Sequence, residues 1–192
     1  MELEEAIRGR RSIRKFRSDP VPRNVIEELL DLAMWAPSGM NQQNWYFVVV
    51  RGEALQRLAE ISRRAFDEHT ERSLLQVFMD KPEIMRATRR FFCTFGNAPM
   101  ALLVYRIATV EGELTDIQSV AAAIQNFLLA AYARGIGACW MTGPTHFESE
   151  INELVGVEDM RLQALVPMGY PDAYPFIPKR KKGKVNWIGF EE

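Results

Sequence analysis

Arg10-Arg11-Ser12-Ile13-Arg14-Lys15-Phe16 lies near the start of the chain, and the rest is best read outward from it. Guanidinium forks match phosphate oxygens through paired, charge-assisted hydrogen bonds, and a serine adds a short neutral donor. Alone, such a run also fits a solvated basic loop. Its context argues for a ligand. Six of the 24 Lys and Arg fall between residues 8 and 17, and five more are Lys179, Arg180, Lys181, Lys182 and Lys184, in a 192-residue chain of net charge −1. Near neutrality argues against a general nucleic-acid binder, and two separated basic clusters point to a local anion.

Around this run, helical and strand patterns alternate. A short helix over 2–9 places Leu3, Ala6 and Ile7 on one face, and a second covers about 22–35 before Pro37 ends it. Trp45–Val50 predicts a buried strand, and 53–67 returns to helical spacing. Residues 68–92 carry a weak signal and predict a mobile helical excursion. Ala98–Tyr105 predicts a second buried strand. A long helix then runs from a cap at Asp116 to Arg134 and closes at Gly135. Ile136–Met141 and Leu162–Met168 predict two more strands, separated by a short helix whose Thr145-His146-Phe147-Glu148 has the capping-box form. No linker or repeat divides the sequence, so residues 1–192 are expected to form a single domain of mixed α and β structure.

Hydrophobic residues make up 47% and charged residues 26%, which excludes disorder and collagen-like structure. No apolar run approaches a bilayer span, and Glu2, Glu4 and Glu5 replace the basic start of a secretory leader. Two cysteines, Cys93 and Cys139, make no disulfide framework and predict a reducing, cytoplasmic setting. Trp187, Ile188 and Phe190 come too late to begin a core element, so they are expected to dock, on another subunit or, as the alternative, against their own domain.

Familiar catalytic chemistry is poorly supplied. His69 and His146 are 77 positions apart, lack neighbouring ligands and read as surface residues, so no metal site is expected. Nucleophile elbows, Walker loops and the three-glycine dinucleotide fingerprint are missing. Any reaction is therefore expected to reside on a bound cofactor. The amide-rich loop Pro37-Ser38-Gly39-Met40-Asn41-Gln42-Gln43-Asn44 offers donors and acceptors suited to a heterocycle edge. Thr142-Gly143 follows a predicted strand, where glycine lets backbone NH groups approach a flat ligand.

In order and spacing, these pieces resemble the nitroreductase family of flavin mononucleotide (FMN) enzymes. Residues 10–16 look like that family's phosphate motif, and residues 37–45 look like its flavin-edge loop. Leu128-Leu129-Ala130-Ala131, Gly135-Ile136-Gly137, Trp140-Met141-Thr142-Gly143 and Gly169-Tyr170-Pro171 follow in its order. The resemblance implies an α+β fold, a mostly antiparallel sheet flanked by helices, and a homodimer that exchanges C-terminal arms and holds flavin at its interface. It assigns the FMN phosphate to Arg10, Arg11 and Ser12, with Lys179 and Lys181 reaching back to it, although the second of that pair is usually arginine. Arg14 would lie near the N1/O2 edge, where a fixed cation stabilises the charge of reduced flavin. Pro37, Ser38, Gly39, Asn41 and Gln43 would approach from the other subunit, and Thr142 and Gly143 would line the flavin face. Asn44 stands where the family usually has proline.

The implied reaction is ping-pong. NADH or NADPH gives a hydride to flavin N5 and leaves, then a nitroaromatic, quinone or similar small acceptor takes the electrons in the same slot. No catalytic side chain is required. Phe78, Met79, Phe91 and Phe92 are candidate pocket-wall residues, with plain core packing as the alternative. Relatives that reduce enones, dehydrogenate, remove halogens or consume flavin keep other chemistries open, as does a non-catalytic flavin binder.

Overall fold

A computed structural model describes residues 1–190. Four strands, β1 (Trp45–Arg51), β2 (Met100–Arg106), β3 (Gly137–Ala138) and β4 (Arg161–Gly169), form one antiparallel sheet in the order β1-β2-β4-β3. Every residue of β2 is buried, because helices cover both faces of the sheet. Successive side chains alternate between two cores. Met100, Leu102 and Val104 join the core packed by α2 (Arg23–Met34) and α6 (Glu113–Ala133). Ala101, Leu103 and Tyr105 join the core packed by α3 (Glu53–Ala65), α5 (Pro82–Thr94) and α7 (Glu148–Val155). In the first core Leu29 and Phe127 are fully buried, and truncating a phenylalanine so placed costs about 3–5 kcal/mol. The short α1 (Leu3–Gly9) packs on α6 through Ala6, while Leu3 and Ile7 stay exposed.

Several sequence expectations change. The first strand is not buried: β1 is an edge with one strand neighbour, and Tyr46 and Val49 are exposed. The excursion resolves into two helices. A π turn, Phe66–Thr70, carries α3 into α4 (Glu71–Phe78), and Pro82 opens α5, where its missing NH costs nothing. The long helix begins at Glu113. Asp116 is buried one turn inside it, and its carboxylate accepts from the Thr109 amide (3.0 Å) and hydroxyl (2.6 Å), so it ties down the preceding loop instead of capping.

The third strand is only two residues long. Cys139 donates to the Pro167 carbonyl (3.1 Å), but Pro167 has no NH to return, and the ladder resumes only at Met141 and Leu165. The capping box does not form. Thr145 donates to the Thr142 carbonyl within a 3₁₀ turn, Gly143–Phe147, and Glu148 accepts from the Leu162 amide (2.7 Å) and Arg161 (2.9 Å), fastening α7 to β4.

Candidate active site

Residues 10–16 leave α1 and run across one end of the sheet. Ser12 bridges Ala138 in parallel, the Ile13 amide donates to the Ala138 carbonyl (3.0 Å), and Phe16 bridges Pro171. Ile13 and Phe16 are buried, which leaves the intervening polar side chains at the surface. Arg14 and Lys15 are exposed, while Arg10, Arg11 and Ser12 are half-buried.

Lys15 pairs with Asp172 at 2.6 Å and Arg17 with Asp19 at 3.4 Å, but among the described residues no carboxylate pairs with Arg10 or Arg11. The Arg11 Nε is buried without a partner, and one of its terminal nitrogens donates to the Arg10 carbonyl. Burial, then the neighbouring charges of Arg11 and Arg180, pushes the Arg10 guanidinium below its ordinary pKa. Three guanidiniums thus gather without a paired carboxylate among the described residues, a donor set whose chemistry fits an oxyanion. Arg180 also lines, with Arg11, a groove along α1. Lys179 and Lys181, the expected tail contacts, are exposed. Beyond them Trp187, Ile188 and Phe190 are exposed too, with Trp187 and Phe190 meeting edge-on at 5.1 Å.

Beside this basic cluster opens a cleft of about 860 Å³. Arg14 stands on one side, Cys139 to Gly143 form a second, and α4 and α5 supply Leu74, Phe78, Phe91 and Phe92. Three of the four expected wall residues are therefore present, with Phe91 and Phe92 serving both core and wall; Met79 does not line the cleft and is exposed. Gly143 is required by close approach: a Cβ there would lie 2.7 Å from both the Phe92 ring and the Thr70 hydroxyl. Burial pushes the Cys139 thiol up, only partly opposed by Arg14, a hydrogen bond from Ser12 and Arg10, so this cysteine is a poor nucleophile.

Sequence reading missed Thr70, Leu74 and Trp140 on this cleft, because only tertiary packing brings α4 over the 139–143 segment. It also kept His69 and His146 apart. Their rings stack at 4.6 Å, joining the π turn to the 3₁₀ turn, with both residues exposed.

The amide loop is built differently. Met40, Asn41 and Gln43 all take positive φ, a conformation costly for residues other than glycine and tolerated best by asparagine. Ser38 Oγ accepts from the Gln43 amide (2.9 Å), and the Gln43 side-chain amide donates to Asn41 Oδ1 (3.2 Å). Gly39 donates to Ser119 Oγ (3.2 Å) on α6, and a Cβ at Gly39 would lie 2.4 Å from the Thr115 methyl. Asn44, in the place of the family's proline, is buried and exchanges hydrogen bonds with Ile107 at the end of the loop.

Register separates this loop from the basic cluster. Trp45, which follows the loop, pairs with Arg106 and so with Arg161, whereas Ser12 meets Ala138 and so Met168. The two sites lie at opposite ends of β4, roughly 23 Å apart at ~3.3 Å per residue. Within one chain they do not share a ligand.

Antiparallel sheet, flanking helices, basic cluster and aromatic cleft make this an α+β protein with one candidate active site, and its family makes it an oxidoreductase. The chain belongs to the nitroreductase family, whose model matches residues 7–170. It is 32% identical over 187 residues to YfhC of Bacillus subtilis, provisionally named an NAD(P)H nitroreductase, covering 93% of this chain and 89% of that one. It is 31% identical to an iodotyrosine deiodinase of Thermotoga neapolitana, covering 88% and 89%. The crystal structure of a Bacteroides fragilis nitroreductase with bound FMN is similar at a TM-score of 0.77 and 25% identity, covering 98% of this chain and 99% of that chain.

Proposed function

We propose that the protein is a homodimeric, FMN-dependent oxidoreductase that draws on NADH or NADPH and reduces nitroaromatic, quinone or similar small acceptors in a ping-pong cycle. One observation carries this reading: Arg10 and Arg11 line one hollow and Arg11 and Arg180 the next, none of the three pairs with a carboxylate among the described residues, and the buried Arg11 Nε has no partner there. That donor set fits a phosphate. Ser12 adds a hydroxyl, and Arg180 takes the part expected of Lys179 and Lys181. Bound there, FMN supplies two-electron chemistry between the nicotinamide and the acceptor.

The protein's own residues bind and orient. Arg14 presents positive charge to the cleft, favouring a ring that gains electrons. Thr142 and Gly143 keep one wall thin enough for close approach, and Leu74, Phe78, Phe91 and Phe92 exclude water from the slot. Pro37, Ser38, Gly39, Asn41 and Gln43 complete the site from a second copy, because the register places them at the far end of their own sheet. Leu114 and Ile117 on α6, together with Trp35, give that second copy an exposed apolar face.

Titration with FMN tests the reading. A yellow complex that bleaches with NADH or NADPH and regains colour with quinone or nitroaromatic, giving parallel double-reciprocal lines, is the expected result. Failure to bind FMN sinks it. The deiodinase relative favours a second reading, reductive removal of iodide from iodotyrosine in the same slot. Iodide release faster than nitroaromatic reduction would select it.

A further inference from the structure

Helix α5 carries three arginines, and they differ in what surrounds them. Arg89 is held by both oxygens of Asp67 on the π turn (2.9 and 3.1 Å), the acid it shares with Arg63. Arg86 does not line the cleft. Arg90 does, on the same stretch as Ala87, Phe91 and Thr94, which follow helical spacing along that wall. Thr94 Oγ1 donates to the Arg90 carbonyl (2.9 Å), closing the last turn of the helix there.

Among the described residues no Asp or Glu lines the cleft. Its other cations are already engaged: Lys15 holds Asp172, and Arg14, lying 6.0 Å from the Phe91 ring centroid, belongs to the proposed flavin contacts. Arg90 has no acid partner among the described residues. Arg90 is exposed where it lines the slot, and a planar fork there grips two oxygens of one anion.

We propose that Arg90 is a specificity-determining residue that selects molecules carrying a carboxylate or phosphate on the part remote from the flavin. This rests on the reductase reading. The oxyanion has two sources, a carboxylate on the acceptor or the extra phosphate of NADPH.

Matched pairs separate these sources. Ratios of kcat/KM are measured for 4-nitrobenzoate against 4-nitrobenzamide, and for NADPH against NADH, each normalised to bound flavin. Wild type is expected to favour the anionic member of at least one pair. Arg90→Gln lowers that ratio about tenfold, Arg90→Glu lowers it further, and Arg90→Lys restores most of it. Arg86→Gln serves as the control with equal charge loss outside the cleft. A fall in the first ratio assigns the anion to the acceptor, and a fall in the second assigns it to the donor. Both ratios staying within about twofold of wild type in Arg90→Gln overturn the proposal. Calorimetric binding of benzoate against benzamide to the purified protein repeats the comparison without turnover. Protein that turns nothing over, yet loses its benzoate preference in Arg90→Gln, keeps the Arg90 assignment and rejects the reductase reading.

Discussion

The basic run at residues 10–14 and the amide loop at 37–43 are both short, polar and joined to the same sheet, but they lie at its opposite ends. The basic run is extended, hydrogen-bonded to the sheet edge and pinned by Ile13 and Phe16; its unmet need is an anion. The loop is pinned through Ser38, Gly39 and the Ser119 hydroxyl, and it holds three residues at positive φ. Its unmet need is something for its amides to face. Among the described residues neither need is answered within one chain, and in the proposed homodimer the division locates where a second copy would contribute.

The sharpest way to break this comparison is to disarm one end. Arg10→Ala with Ser12→Ala removes two charge-assisted contacts, each worth about 1.5–3 kcal/mol, so FMN affinity should fall a hundredfold or more. The apo protein should melt within a few degrees of wild type by calorimetry, because neither side chain packs in a core. Equal losses of affinity and apo stability would show that the run is structural.

Disarming the other end should cost less. Gly39→Ala places a Cβ against the Thr115 methyl, and overpacking of this kind costs about 1–3 kcal/mol. FMN affinity should drop about tenfold, and Thr115→Ser, which removes that methyl, should recover most of it.

Mixing the two defective chains tests the shared site itself. In each heterodimer one site inherits both lesions and the other neither, so random exchange restores about a quarter of wild-type flavin sites in a twofold-symmetric dimer. No recovery would mean that each chain builds its own site.

The smallest effect concerns the cleft wall. A side-chain hydrogen bond from Arg89, followed by its charge and that of Arg63, holds the Asp67 carboxyl below its ordinary pKa, despite opposition from partial burial. A carboxyl lowered on folding stabilises above its unfolded pKa, about 4, and loses that contribution as pH falls through the lower folded value. Between pH 5 and 2 the wild type should therefore lose slightly more stability in urea melts than Asp67→Asn.

The basic end was legible because its information is contiguous: guanidiniums, a serine and anchoring apolar residues sit within seven positions. Helices α2, α3 and α6 were legible for a similar reason, since helical spacing is a local property. What sequence did not carry was juxtaposition. Arg180 reaches Arg10 only because the tail turns along α1, and Thr70 reaches Gly143 only because a π turn redirects α4. The edge position of β1 was likewise hidden. A β-branched and aromatic run reads as buried, and only the strand order reveals that one side has no neighbour. Asp116 misled for a different reason, because a carboxylate at a helix start serves a loop as readily as a cap.

The three converging guanidiniums also bear on how the empty protein behaves. Like charges held together push apart, and the arm that carries Arg180 is exposed throughout residues 173–190. In the proposed cofactor complex an anion filling the cluster would turn that push into a clasp on the arm. Trypsin should then trim the lysine-rich stretch after Pro178 quickly in flavin-free protein and slowly once FMN, or simply concentrated sulfate, is supplied.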